Sequence, residues 1–153
     1  NDSVVIDSSY NASPDTMLES LKLLKKIGSK HRKIAVLGDM RELGISTKLV
    51  HKQLADWVRY YADEAILFGT ATKEYTLPVL VSGKFPVLHF EQMSELIKYL
   101  KSRLKNNDII LVKGSQNEIF LERAVEEILL NQSDVKSLCR RGIYWDKLRR
   151  LAK

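Results

Sequence analysis

Three short segments gather side chains able to hold or move charge: Asp7-Ser8-Ser9-Tyr10-Asn11-Ala12-Ser13-Pro14, Gly38-Asp39-Met40-Arg41-Glu42-Leu43-Gly44 and Lys113-Gly114-Ser115-Gln116. Lys113 follows a four-residue apolar run. A cation at the end of such a run suits a phosphate or carboxylate ligand. Other members have plainer roles. Ser13, Pro14 and Asp15 read as a helix start, with Ser13 as N-cap, Pro14 at the first helical position and Asp15 facing the positive helix end. That reading leaves Tyr10 and Asn11 unexplained. Ser115 to Glu118 fits a capping box. Asp39 could accept backbone hydrogen bonds within its own loop, and Gly44 could be a turn glycine. His31, His51 and His89 are not at metal-ligand spacing. His51 reads as a surface or loop-packing residue and His89 as a structural strand residue.

These segments need a scaffold that brings them together. Short β-branched runs alternate with segments of helical period. Strands are expected at residues 4–7, 34–38, 65–68, 87–90 and 109–112. Helices are expected at 14–27, 49–62, 91–104 and 118–130, while 70–82, with Pro78 and Gly83 against it, is a short helix at best. The run Ile34-Ala35-Val36-Leu37 is apolar throughout, as in a parallel strand covered on both faces. Strict alternation of this kind predicts an α/β fold with an open, mostly parallel sheet and helices on both faces. In such sheets ligands bind at the carboxyl ends of the strands, and all three charged segments fall there.

Composition narrows the classes. The 153 residues are 44% hydrophobic and 29% charged, with seven Gly and three Pro, which excludes collagen-like and disordered chains. One cysteine, Cys139, rules out an internal disulfide framework and a Cys-rich zinc site, and fits a reducing cytoplasm. No apolar run approaches a membrane span, and no signal peptide opens the sequence. The net charge of +6 looks like a nucleic-acid signal. Residues 134–153, however, carry seven basic and two acidic side chains, against 18 and 17 in the other 133 residues. A near-neutral body argues against nucleic acid, which needs a distributed basic face. The expected division is therefore a body at 1–133 and a basic, helical tail at 134–153. In the tail Tyr144, Leu148 and Leu151 share one side with Trp145 adjacent, and Lys147, Arg149, Arg150 and Lys153 supply charge. Such a helix would pack on the body or on another domain, or rest on anionic lipid. There is no G-x-G-x-x-G after the first strand and no G-x-x-x-x-G-K-[ST]. A phosphoaspartate receiver domain needs an aspartate where Gly69 stands.

Taken together and in order, the three segments resemble one family. Asp7 to Met17 resembles the D-D-S-Y-N-A-N-P-x-S-M run of MurF-type Mur ligases. Leu37 to Gly44, with His51, resembles their L-G-D-M-x-E-L-G…H segment, and Asp108 to Ser115 their G-D-x-V-L-V-K-G-S-R segment. The resemblance covers roughly residues 3–130. It implies a Rossmann-like C-terminal domain of a cytoplasmic three-domain enzyme of peptidoglycan precursor synthesis. The other two domains would bind the UDP-sugar and, through a P-loop, ATP with Mg²⁺. It implies an acyl-phosphate route joining D-alanyl-D-alanine to a UDP-N-acetylmuramoyl tripeptide. It also implies that Asp7, Tyr10 and Asn11 face ATP and that Asp39, Lys113 and Ser115 meet the incoming dipeptide. This domain alone would be inactive, and no metal ligand is assigned to it. The sequence departs from the pattern at Ser8, Ser13 and Gln116, where the family has acid, Asn and Arg. Those departures motivate a second reading, a non-catalytic α/β ligand- or partner-binding module.

Overall fold

The computed structural model describes residues 3–115 and 119–151. Five strands, β1 (Val4–Ser8), β2 (Lys33–Gly38), β3 (Glu64–Phe68), β4 (Val87–Phe90) and β5 (Ile109–Lys113), form one sheet in the order β1-β5-β2-β3-β4. Every pairing is parallel. The order matters for function. β5 lies between β1 and β2, with Lys113 in register with Ser8 on one side and Leu37 on the other. Three strand ends that lie far apart in sequence thereby become neighbours.

Side chains alternate across the central strands, and each face is covered. Ala35, Leu37, Ala65, Leu67, Ile109 and Leu111 pack under α1 (Pro14–Ile27), α2 (Thr47–Tyr61) and α3 (Leu77–Ser82). Ile34, Val36, Ile66, Phe68, Ile110 and Val112 pack under α4 (Met93–Arg103) and α5 (Glu122–Ile128). Met17, Leu21 and Leu24 form the buried stripe of α1. Its start is as expected: the Ser13 side chain accepts from the Thr16 amide, Thr16 answers to the Ser13 amide, and Pro14 opens the helix.

Three segments differ from expectation. Residues 70–82 are helical throughout, because a wide π turn at Thr72–Thr76 precedes α3. Pro78 cannot donate a hydrogen bond and would crowd the carbonyl four residues back, and the wider turn accommodates it. The last body helix begins at Glu122 and not at 118. Phe120 adopts a left-handed φ of 44° in place of a helical value, and Ile119 and Leu121 are buried over the sheet edge.

The third difference is the tail, which is not one helix. A 3₁₀ segment, Gln132–Ser137, and α6 (Ile143–Leu151) are separated by a bend in which Arg140 has φ 54° and Gly142 φ 104°. Left-handed backbone at both positions prevents a continuous helix. The capping pair of Ser115 with Glu118, the Gln116 departure and Lys153 lie outside the described residues, as do the side chains of Arg149, Arg150 and Leu151.

Candidate functional site

The ends of β1 and β5 enclose a cleft of about 500 Å³, lined by Ser8, Tyr10, Asn11, Asp15, Thr16, Glu19, Ser20 and Lys113. Lys113 is its chemical centre. The residue is only 2% exposed. Its Nζ donates to the Ser8 hydroxyl at 3.0 Å and to the Asn11 carbonyl at 2.8 Å. Both partners are neutral, and burial lowers the lysine pKa from its ordinary 10.5. An ammonium held this way attracts an anion entering the cleft. Tyr10 is 56% exposed and presents its ring there. The Asn11 Oδ1 accepts from the Ala12 amide at 2.8 Å, which leaves its NH₂ as the donor available to a ligand.

The remaining expected residues stand around this centre. Asp7 is exposed and does not line the cleft. Its Oδ1 accepts from the amide of Ser9 at 3.0 Å and from the Ser9 hydroxyl at 2.6 Å, which tightens the turn leading to Tyr10. Ser115 is buried on the far side of Lys113, and its amide donates to the Asp39 carbonyl at 3.0 Å. The Asp39 carboxylate faces away from the cleft, accepting from the amides of Ala71 at 3.0 Å and Thr72 at 2.7 Å. Tyr10, Asn11 and Lys113 are therefore brought together, with Ser8 joining them, while Asp39 and Ser115 meet one strand over.

Asp39 belongs to a brace. Gly69 has φ 115°, and a Cβ there would lie 2.6 Å from the Asp39 carboxylate, so a glycine is required beneath it. His51 is fully buried, which corrects its expected surface placement and retains the loop-packing role. Its Nε2 accepts from the Met40 amide at 3.1 Å, so the proton sits on Nδ1, which donates to the Thr47 carbonyl at 2.8 Å. Thr76 donates to the His51 carbonyl at 2.7 Å, and His89 Nε2 donates to the Gly69 carbonyl at 2.9 Å. The second charged segment thus fixes the end of β2 to the helical turn after β3. Asp108, at the opposite end of β5, accepts from the Lys105 amide and Arg32.

Two further residues reach the site without any sequence signal for their pairing. Glu122 on α5 and Arg140 after the 3₁₀ segment form an ion pair at 2.5 Å with both side chains fully buried. Arg140 also donates to the carbonyls of Ser9 and Tyr10. Beside it, Cys139 lies 3.5 Å from the Ser9 hydroxyl, and burial pushes its thiol pKa up. Among the described residues no group of three His, Cys, Asp or Glu is placed to hold a metal ion.

The sequence model of the Mur ligase glutamate ligase domain matches residues 1–116. A UDP-N-acetylmuramoyl-tripeptide–D-alanyl-D-alanine ligase of Rickettsia prowazekii is 33% identical over 128 residues, covering 80% of this chain and 26% of its own. The enzyme of that name from Treponema pallidum is 36% identical over 118 residues, covering 74% and 25%. The chain spans about a quarter of the length of these relatives. Among solved structures, the MurF ligase of Thermotoga maritima in complex with ADP superposes with a TM-score of 0.68 at 23% identity, covering 90% of this chain and 30% of that one.

Proposed function

This chain belongs to the Mur ligase family, matching its glutamate ligase domain, and from that premise we propose that it is the C-terminal domain of an ATP-dependent amide ligase. The reaction proposed joins D-alanyl-D-alanine to a UDP-N-acetylmuramoyl tripeptide in the cytoplasm, as a step of peptidoglycan precursor synthesis. The tripeptide carboxylate oxygen attacks the γ-phosphorus of ATP, and ADP leaves. The dipeptide amine then attacks the acyl carbon of the resulting acyl phosphate, loses a proton, and the tetrahedral intermediate expels phosphate. The UDP-sugar and ATPase domains of a longer chain would supply the other binding sites.

One observation carries this reading: a buried lysine with only neutral partners opens into a cleft bordered by Tyr10 and Asn11. Lys113 supplies fixed positive charge for a phosphate or for the dipeptide carboxylate. Tyr10 offers a ring and Asn11 an amide donor at the nucleotide side. Asp7 holds the turn that presents them, while Ser115 and Asp39 complete the neighbouring strand ends on the dipeptide side. No Mg²⁺ ligand is proposed on this domain; the metal would be held mainly by the ATPase domain and the nucleotide phosphates. Closure of the domain over its neighbours would exclude water from the acyl phosphate.

For the tail, a contact within the protein is favoured over lipid. Arg140 and Arg141 turn toward Glu122 and Glu126 of α5, so part of the basic charge is spent inside the fold. Among the described residues no helix is long and apolar enough to cross a membrane. The second reading, a non-catalytic binding module, draws support from Ser8, a neutral residue at the family's acidic position. Phosphate release by the full-length protein decides between them. Release that depends on D-alanyl-D-alanine supports the ligase, and no ATP turnover with any amine supports the binding module.

A further inference from the structure

Three successive carbonyl groups, those of Ser9, Tyr10 and Asn11, are held by two buried cations. Lys113 takes the Asn11 carbonyl from the β5 side. Arg140, in the C-terminal segment, takes the Ser9 and Tyr10 carbonyls through one guanidinium nitrogen. Its other terminal nitrogen is paired with Glu122. The guanidinium carbon lies 5.3 Å from the Tyr10 ring centroid and 5.5 Å from that of Phe120. The cost of this arrangement is visible. Both charges are withdrawn from water, and Arg140 and Phe120 each adopt left-handed backbone. A buried ion pair is weak evidence for stability, and strained backbone persists where its surroundings over-determine it. What the arrangement does fix is the loop that carries Tyr10 and Asn11.

We propose that Arg140 is a positioning residue: it hooks the C-terminal segment onto the Ser9–Asn11 backbone and sets the Tyr10 and Asn11 side chains for ligand. The proposal rests on the reading that this loop faces ATP, and it adds a control point in a segment outside the three charged motifs. Lysine cannot replace arginine here. It can keep the pair with Glu122 but lacks the planar fork that also reaches two carbonyls.

The test uses the full-length protein with Arg140→Lys, Arg140→Met, the double variant Glu122→Met with Arg140→Met, and a truncation after Arg141. Hydrogen exchange of amides 8–12, the melting temperature, and kcat and KM for ATP are read for each. Arg140→Lys is expected to melt near the parent, to exchange those amides about tenfold faster and to raise KM about tenfold with kcat little changed, the equivalent of one lost charge-assisted hydrogen bond. The double variant should recover melting temperature lost in Arg140→Met without recovering loop protection or KM. The truncation should leave loop and KM at parental values. Unchanged exchange in Arg140→Lys, or a KM that recovers together with melting temperature, overturns the proposal. Faster exchange with an unmoved KM overturns the nucleotide reading of the loop and supports Arg140 as the residue that sets it.

Discussion

Lys113 and Ser8 decide how the cleft behaves. An acidic residue at position 8 would give Lys113 a counter-ion, whereas the Ser8 hydroxyl gives it only a hydrogen bond. Ser8→Asp is therefore expected to raise the Lys113 pKa and to weaken any anion held by the ammonium, measurable as a weaker Kd for ATP or dipeptide in the full-length protein. Removing the charge tests the same centre. Lys113→Met should lower kcat/KM about 10- to 100-fold, the range for a hydrogen bond to a charged group. Stability gives an independent readout. Burial lowers the folded-state pKa below 10.5, so just below that pH the unfolded chain binds a proton that the folded chain has released. Folding stability then rises with pH through this interval. Lys113→Met lacks that term. The parent's stability relative to Lys113→Met should therefore improve from neutral pH toward 10.5, as urea denaturation would show; a pH-independent difference would mean that the lysine is not desolvated.

At the scale of elements, the brace at the ends of β2 and β3 depends on single residues. Gly69→Ala would drive a methyl group into the Asp39 carboxylate at a backbone conformation that alanine disfavours. The expected loss is about 2–3 kcal/mol by chemical denaturation. His51→Ala leaves the buried Met40 amide without its acceptor and should cost about 1–3 kcal/mol before any cavity term. Local sequence showed the alternation of strands and helices and the Ser13 cap, because apolar period and capping chemistry act over a few residues. It also placed Lys113 at a strand end. It could not show β5 between β1 and β2, since strand order is set by packing across the whole sheet. The late start of α5 escaped it because Ile119 and Leu121 are drawn over Gly38 and Gly114, where the missing Cβ atoms make room. In the sequence Arg140 counts only among the basic residues of the tail, because nothing near it announces Glu122.

Under the proposed function, the whole molecule presents one half of a site. Lys113, Tyr10 and Asn11 line an open cleft, and no segment of this chain has the pattern of a phosphate-cradling loop. A lysine at a strand end can attract a phosphate, but it cannot by itself align a γ-phosphoryl group with a carboxylate nucleophile. The 153-residue chain alone is therefore expected to release no phosphate from ATP, with or without D-alanyl-D-alanine. The longer protein should release it, and faster when the dipeptide is present, because an acyl phosphate formed without an amine has only water to react with and closure keeps water out. Phosphate assays on both forms distinguish the possibilities. Turnover by the 153 residues alone would place the ATP site within this domain and remove the need for a partner domain. Equal release by the longer protein with and without dipeptide would mean that the cleft beside Lys113 does not receive the amine substrate.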